Sequence, residues 1–148
     1  MTDRLRTVAI AISVVGIAIA GYLTYVHYAG ISPVCEIAHG CEKVQTSEWS
    51  KVAGVPVAVL GLLGYVGILA ALLIPGETAA TAAAGMALVG VGFSAYLTYR
   101  EVFTIDAICI WCVASALLMT ALVVITVARL LREPVGGAAG SPRALASR

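Results

Sequence analysis

Charge is what this chain lacks. Its 148 residues hold nine Lys and Arg and eight Asp and Glu, 11% of the total, for a formal net charge of +1. A soluble domain carries roughly 25% charged residues, so the composition argues against a water-soluble fold. It also argues against disorder, because disordered chains are rich in charge and poor in apolar residues. The near-zero net charge leaves no electrostatic footprint for nucleic acid. Histidine is scarce, at two, and cysteine numbers four, so redox or metal chemistry has few residues to draw on. Apolar residues take the remaining space: 61% are hydrophobic and the mean hydropathy is +1.00.

Four uncharged runs dominate the chain: Thr7–Tyr28, Val52–Ile74, Thr78–Tyr99 and Ala107–Ala128. About 20 apolar residues cross ~30 Å of hydrocarbon as a helix, and backbone groups in lipid must be satisfied internally. The expected fold is therefore an all-α membrane bundle of four helices. Residues 1–132 form its single domain, and residues 133–148, rich in Gly, Ala and Ser, form a disordered cytoplasmic tail. The first run is too long for a signal-peptide core and shows no cleavage site. With both termini inside, Arg4, Arg6, Arg129, Arg132, Arg143 and Arg148 are cytoplasmic, and only Lys43, Lys51 and Arg100 lie outside. Six against three agrees with the positive-inside bias. The long loop between spans one and two, Ala29–Lys51, and all four cysteines then face out of the cytoplasm, where disulfides persist.

A shift of 74 residues superposes Tyr22-Leu23-Thr24-Tyr25 on Tyr96-Leu97-Thr98-Tyr99 and Cys35 on Cys109. The match suggests two related halves with one cysteine of each pair in equivalent places. Cys109-Ile110-Trp111-Cys112 is a C-x-x-C at a helix start, and residues three apart share a helix face. Asp106 is the expected N-cap, setting Cys109 beside free backbone N–H groups that favour the thiolate. Cys35 and Cys41 form a second pair, close enough in sequence for a local disulfide within a loop able to approach span four. One mobile and one fixed pair suit a thiol–disulfide relay. The alternative is a non-catalytic membrane protein with structural disulfides or a four-Cys zinc site.

Weaker signals surround these. His39 could tune a neighbouring thiol, while Glu36, Glu42, Lys43, Glu48 and Lys51 read as an exposed loop without a metal-ligand pattern. Ser47 reads as a turn or cap residue and Trp49 as an interfacial anchor. Tyr22, Tyr25, Tyr28, Tyr96 and Tyr99 read mostly as belt residues.

Taken together, Cys35 and Cys41 in the first outward loop, Ser47 and Trp49 after them, Gly54-Val55-Pro56 before the second span and Cys109-Ile110-Trp111-Cys112 opening the fourth resemble the vitamin K epoxide reductase family in its bacterial form. The similarity extends to about Leu131. A related quinone-linked family, that of the bacterial disulfide-bond protein B, sets its C-x-x-C before the second helix. The resemblance implies a four-helix bundle around a quinone, menaquinone or ubiquinone. It implies that Cys112 lies nearest the quinone and Cys109 exchanges with the loop. Cys35 would meet a reduced thioredoxin-like partner, Cys41 would pass electrons to Cys109, and Ser47 would help position the redox centre. The net product is disulfides in exported proteins. Many bacterial relatives carry a fused thioredoxin-like domain; the tail here is too short for one, so a separate partner is expected. Animal members have a Tyr four residues after the second cysteine of the C-x-x-C, where this chain has Ala116. The resemblance therefore carries quinone reduction in preference to epoxide reduction.

Overall fold

Helix dominates, and its lengths follow the apolar runs with instructive shifts at their ends. The structure is a computed structural model that describes residues 2–35 and 40–132. Glu36, His39 and the expected tail 133–148 lie outside the described residues. Helix α1 covers Thr2–Ala29, α2 is a short turn over Cys41–Thr46, α3 covers Val57–Leu73, α4 covers Glu77–Arg100 and α5 covers Ile110–Arg132. Strands β1, Lys51–Val52, and β2, Val55–Pro56, pair antiparallel between α2 and α3. Three segments, Asp3–Ala29, Glu77–Ile105 and Ile110–Arg132, are long and apolar enough to cross a membrane, and Val57–Leu73 is a shorter apolar helix.

Three of the four expected spans change at their beginnings. The second does not start at Val52, because Lys51–Val52 and Val55–Pro56 fold back on each other as a hairpin. Its two-residue turn, Ala53-Gly54, has both residues at positive φ, the geometry that matches strand twist. Helix α3 is left with 17 residues. The fourth span begins at Ile110 and not at Ala107, for reasons that belong to the site below. The first begins earlier than Thr7, since Asp3 in its first turn complements the helix dipole. The expected loop Arg100–Asp106 is mostly helical too: α4 runs directly into a π turn over Glu101–Ile105.

The packing is that of a protein whose solvent is apolar. Small side chains, among them Ala9, Ala20, Ala71, Ala83 and Ala87, fill the centre with Tyr65, Ile68 and Leu122. Large ones such as Leu63, Val89, Leu117 and Leu131 point outward. Close approach of small residues is how helices associate where burial from water supplies no drive. Buried hydroxyls of Ser13 and Thr126 are satisfied by carbonyls one turn back, those of Ala9 and Leu122. Arg6 in α1 donates from Nε to the Leu72 carbonyl at 2.7 Å and from Nη2 to that of Leu73 at 3.1 Å, capping the free C-terminal carbonyls of α3. Tyr65, fully buried, donates its hydroxyl to the Ser115 carbonyl at 2.9 Å and lies 3.0 Å from the Ser115 Oγ. Its ring occupies the space that a Cβ on Gly16 would need, so this one residue joins α1, α3 and α5. Tyr65→Phe should lower the stability of the bundle by about 1 kcal/mol, the scale of an interhelical hydrogen bond in a membrane, as read from an unfolding titration in mixed micelles.

Candidate redox site

Cys35 and Cys41 are joined as a disulfide with their Cα atoms 6.3 Å apart. Three contacts fasten this loop over the start of α5. The Trp111 indole Nε1–H donates to the Val34 carbonyl at 3.0 Å, and the Val34 N–H donates to the Tyr22 hydroxyl at 3.1 Å. The two rings meet at 5.2 Å between centroids. On the other side of the disulfide, Gly40 lies directly on the Ala107-Ile108 backbone. A Cβ there would fall 2.6 Å from the Ile108 carbonyl oxygen and 2.8 Å from its nitrogen. Only glycine permits that approach, and Cys41 is its neighbour. Cys41 and Cys109 accordingly share one buried cluster with Val44 and Ile105, against which Cys35, Trp111 and Cys112 pack.

The chain reaches this cluster through its least regular segment. In the π turn the wider winding turns both Glu101 and Ile105 inward, and such single turns recur at functional sites. Asp106 closes it in the left-handed region, at φ 52°, and donates its N–H to the Glu101 carbonyl. Asp106 is therefore not the N-cap of α5. The cap position falls to Cys109, whose carbonyl accepts the first helical bond, from the Val113 N–H at 3.0 Å. The Cys109 N–H is in turn taken by the Glu101 carboxylate, Oε2, at 3.1 Å. Cys109 and Cys112 are both free thiols.

The electrostatics separate them. Donation from the Cys112 thiol pulls Cys109 down to about 7, helped by the backbone N–H groups of Cys112 and Trp111 and opposed by burial and the Glu101 charge. A low thiol pKa marks the exchanging sulfur of a C-x-x-C pair.

Beside the pair lies a cavity of about 530 Å³ between the helices. Most of its wall is apolar, including Leu23, Met86, Phe93 and Met119. Its polar residues come mainly from the loop side: Gln45, Ser47, Arg100 and Glu101. Cys112 and Ser115 face it; Cys109 is not in its wall. The Arg100 guanidinium lies over the Trp49 ring at 3.9 Å and within 5.2 Å of Tyr96. Its Nε is buried with no hydrogen-bond partner among the described residues.

The structure thus brings all four cysteines and Ser47 into one region. Ser47 is also the turn residue expected, donating its Oγ to the Val44 carbonyl at 2.7 Å. Trp49 does more than anchor, since it carries Arg100, and Tyr22 is a loop clasp where a belt residue was expected. Tyr25, Tyr28, Tyr96 and Tyr99 are exposed, as belt residues would be. Sequence reasoning missed Glu101, Arg100, Trp111 and Gly40. An adjacent Arg and Glu at the end of an otherwise uncharged run is a signal that could have found the first two.

Two outcomes follow from the burial and charge of Cys109. Its alkylation by a small maleimide should rise with pH through a midpoint near 7, whereas an ordinary thiol titrates near 8.5; below the midpoint the unreactive thiol prevails. Gly40→Ala must lift the loop from the Ile108 backbone, so Cys109, fully covered in the native chain, should alkylate several-fold faster at any fixed pH. Equal rates in the variant would mean that the loop does not cover it.

A family model described as vitamin K epoxide reductase family matches residues 7–127, a stretch that contains both cysteine pairs and runs into α5. With its long apolar helices, its loop disulfide and the match over most of its length, the chain belongs to the vitamin K epoxide reductase family, a family of membrane redox enzymes.

Proposed function

We propose that the protein is a quinone-dependent thiol oxidant of the cytoplasmic membrane that sustains disulfide formation in exported proteins. In this reading α3 is a fourth span despite its length, both termini are cytoplasmic and the cysteines face outward. The supporting observation is the burial of Cys41 and Cys109 in one cluster with Cys112 turned to the cavity behind them. That is the order a relay needs: loop, exchanging sulfur, inner sulfur, acceptor. The alternative of a four-thiolate zinc site is disfavoured by the loop disulfide, which occupies two of the four sulfurs. Structural disulfides alone leave the free Cys109 and Cys112 without a purpose.

The cavity suits a quinone. A volume of about 530 Å³ is ordinary for a ligand of that size, its apolar walls match a ring and prenyl chain, and its polar end offers a ring oxygen the unpartnered Nε–H of Arg100. Ser47 and Cys112 would hold the ring end. Bound there, the quinone supplies the two-electron acceptor for the Cys109–Cys112 pair.

The protein's own residues perform the remaining steps. A separate thioredoxin-fold partner, as dithiol, attacks Cys35 and leaves oxidised, reducing the Cys35–Cys41 bond. Cys41, held against the C-x-x-C by Gly40, attacks Cys109 when that residue is in its disulfide with Cys112. Cys35 then attacks Cys41, closing the loop bond and freeing Cys109 as a thiolate, which its low pKa makes a good leaving group. The described state, loop closed and C-x-x-C reduced, is the product of that exchange.

Cys112→Ser leaves Cys109 without a disulfide partner in the helix. The Cys109 thiolate can then only run the exchange backward, attacking Cys41 and expelling Cys35, with no Cys112 to break the bond that forms. The variant should strand a Cys41–Cys109 disulfide with Cys35 free, in a folded but inactive protein. Non-reducing peptide mapping after addition of a reduced thioredoxin-fold donor checks this. An intact Cys35–Cys41 bond beside a reduced Cys109 would make the electron order wrong.

A further inference from the structure

Glu101 is the one acidic side chain buried among the described residues, at 3% exposed. Burying a carboxylate is costly unless it is neutralised or well hydrogen-bonded. Arg100, its neighbour in the chain, turns its guanidinium away over Trp49. The partners Glu101 does have are both at the reacting centre: the Cys109 N–H at 3.1 Å and the Cys112 thiol, within hydrogen-bonding reach of the carboxylate. Glu101 also lines the same cavity as Cys112. A carboxyl group touching one reacting sulfur, shielded from water and paired with no cation, is suited to hold and release a proton.

The exchange chemistry requires a proton at that place. When the Cys41 thiolate attacks Cys109, the Cys41–Cys109 bond forms, the Cys109–Cys112 bond breaks and Cys112 leaves as a thiolate. When Cys35 attacks Cys41, the loop bond closes and Cys109 leaves in turn. The loop pair is oxidised by two electrons and the C-x-x-C pair reduced by two; Cys35 and Cys41 release two protons to water, Cys109 leaves as a thiolate, and Cys112 needs one proton from a donor at its side. Cys109 is stable as a thiolate near neutrality, but Cys112, deeper and beside both Cys109 and Glu101, is not placed to remain charged. We infer that Glu101 is the catalytic acid that protonates Cys112 as it leaves, and the base that takes this proton back when the pair is reoxidised and its electrons pass on. The inference deepens the relay reading and rests on it.

The test uses the full chain in lipid nanodiscs without added quinone. Fully oxidised protein is mixed with one equivalent of a small dithiol, acid-quenched at intervals, alkylated and mapped. The readout is the rate at which free Cys112 appears while the loop closes, between pH 6 and 8. The groups facing Glu101 are Cys109 before α5 and Cys112 within it; its neighbour Arg100 is turned away over Trp49, and Glu42 and Lys43 of α2 are exposed. The wild-type rate should rise with pH only as far as the loop thiols ionise. Glu101→Gln keeps the shape and an acceptor oxygen for the Cys109 N–H but has no proton to give. It should slow the step on the order of 100-fold, the low end of what a positioned acid contributes, and more at pH 8 than at pH 6. Glu101→Asp, still an acid, should be slower than wild type but keep the wild-type profile, which makes the comparison informative if Glu101→Gln folds poorly. Wild-type rate and profile in Glu101→Gln, or one shared profile in the two variants, overturns the assignment and leaves the relay standing. No exchange in the wild type overturns the relay, and the assignment with it.

Discussion

The hold of the loop on the first turn of α5 is the contact on which the rest of the site depends. It rests on the indole of Trp111 bonded to the Val34 carbonyl, the Tyr22 hydroxyl taking the Val34 N–H and Gly40 lying on the Ile108 backbone. Thiol–disulfide exchange needs sulfurs in contact, and contact needs a fixed approach. The clasp supplies it from both sides of the Cys35–Cys41 bond. It also covers Cys109, so the thiolate that the helix start favours is shielded from oxidants in bulk water. In the relay proposed above, the loop is both the cover and the reagent.

The second constraint is the join between α4 and α5. An ordinary helix end would leave a polar loop over the cavity, whereas the π turn carries the helix one wide winding further. Asp106 then reverses the chain in a left-handed conformation that Asp tolerates better than most residues. The result is that Glu101, on one element, reaches the backbone of Cys109 on the next. The cap of α5 is thereby assembled from a distant carboxylate instead of a neighbouring side chain.

The helical membrane character, the grouping of the cysteines and the loop disulfide were legible in the residues because each rests on a local property: long apolar runs, charge imbalance, sulfur spacing. Helix starts were less legible. Val52 and Ala107 lie in unbroken apolar stretches, and hydropathy cannot distinguish a strand pair or an irregular turn from the first turn of a span. Asp106 is a good N-cap by type, but its backbone was claimed by the π turn before it. Glu101 looked like loop because nothing in its neighbours announces that the helix continues through it. Tyr22 and Trp111 are interfacial residues by composition, and their clasping of Val34 depends on a fold that bridges distant parts of the chain.

The hairpin that shortens α3 has a mechanical consequence for any bilayer around it. Seventeen residues rise about 26 Å as a helix, a few Å less than a hydrocarbon layer of ~30 Å. For α3 to cross, the lipid must thin locally or the flanking hairpin must sink toward the acyl chains. Either adjustment falls on the side of the molecule where α3 meets the cavity wall at Val57 and Ala58. A lipid-soluble reactant would then approach sideways through a dimpled leaflet, at a concentration set by its partition into the membrane and not by its solubility in water.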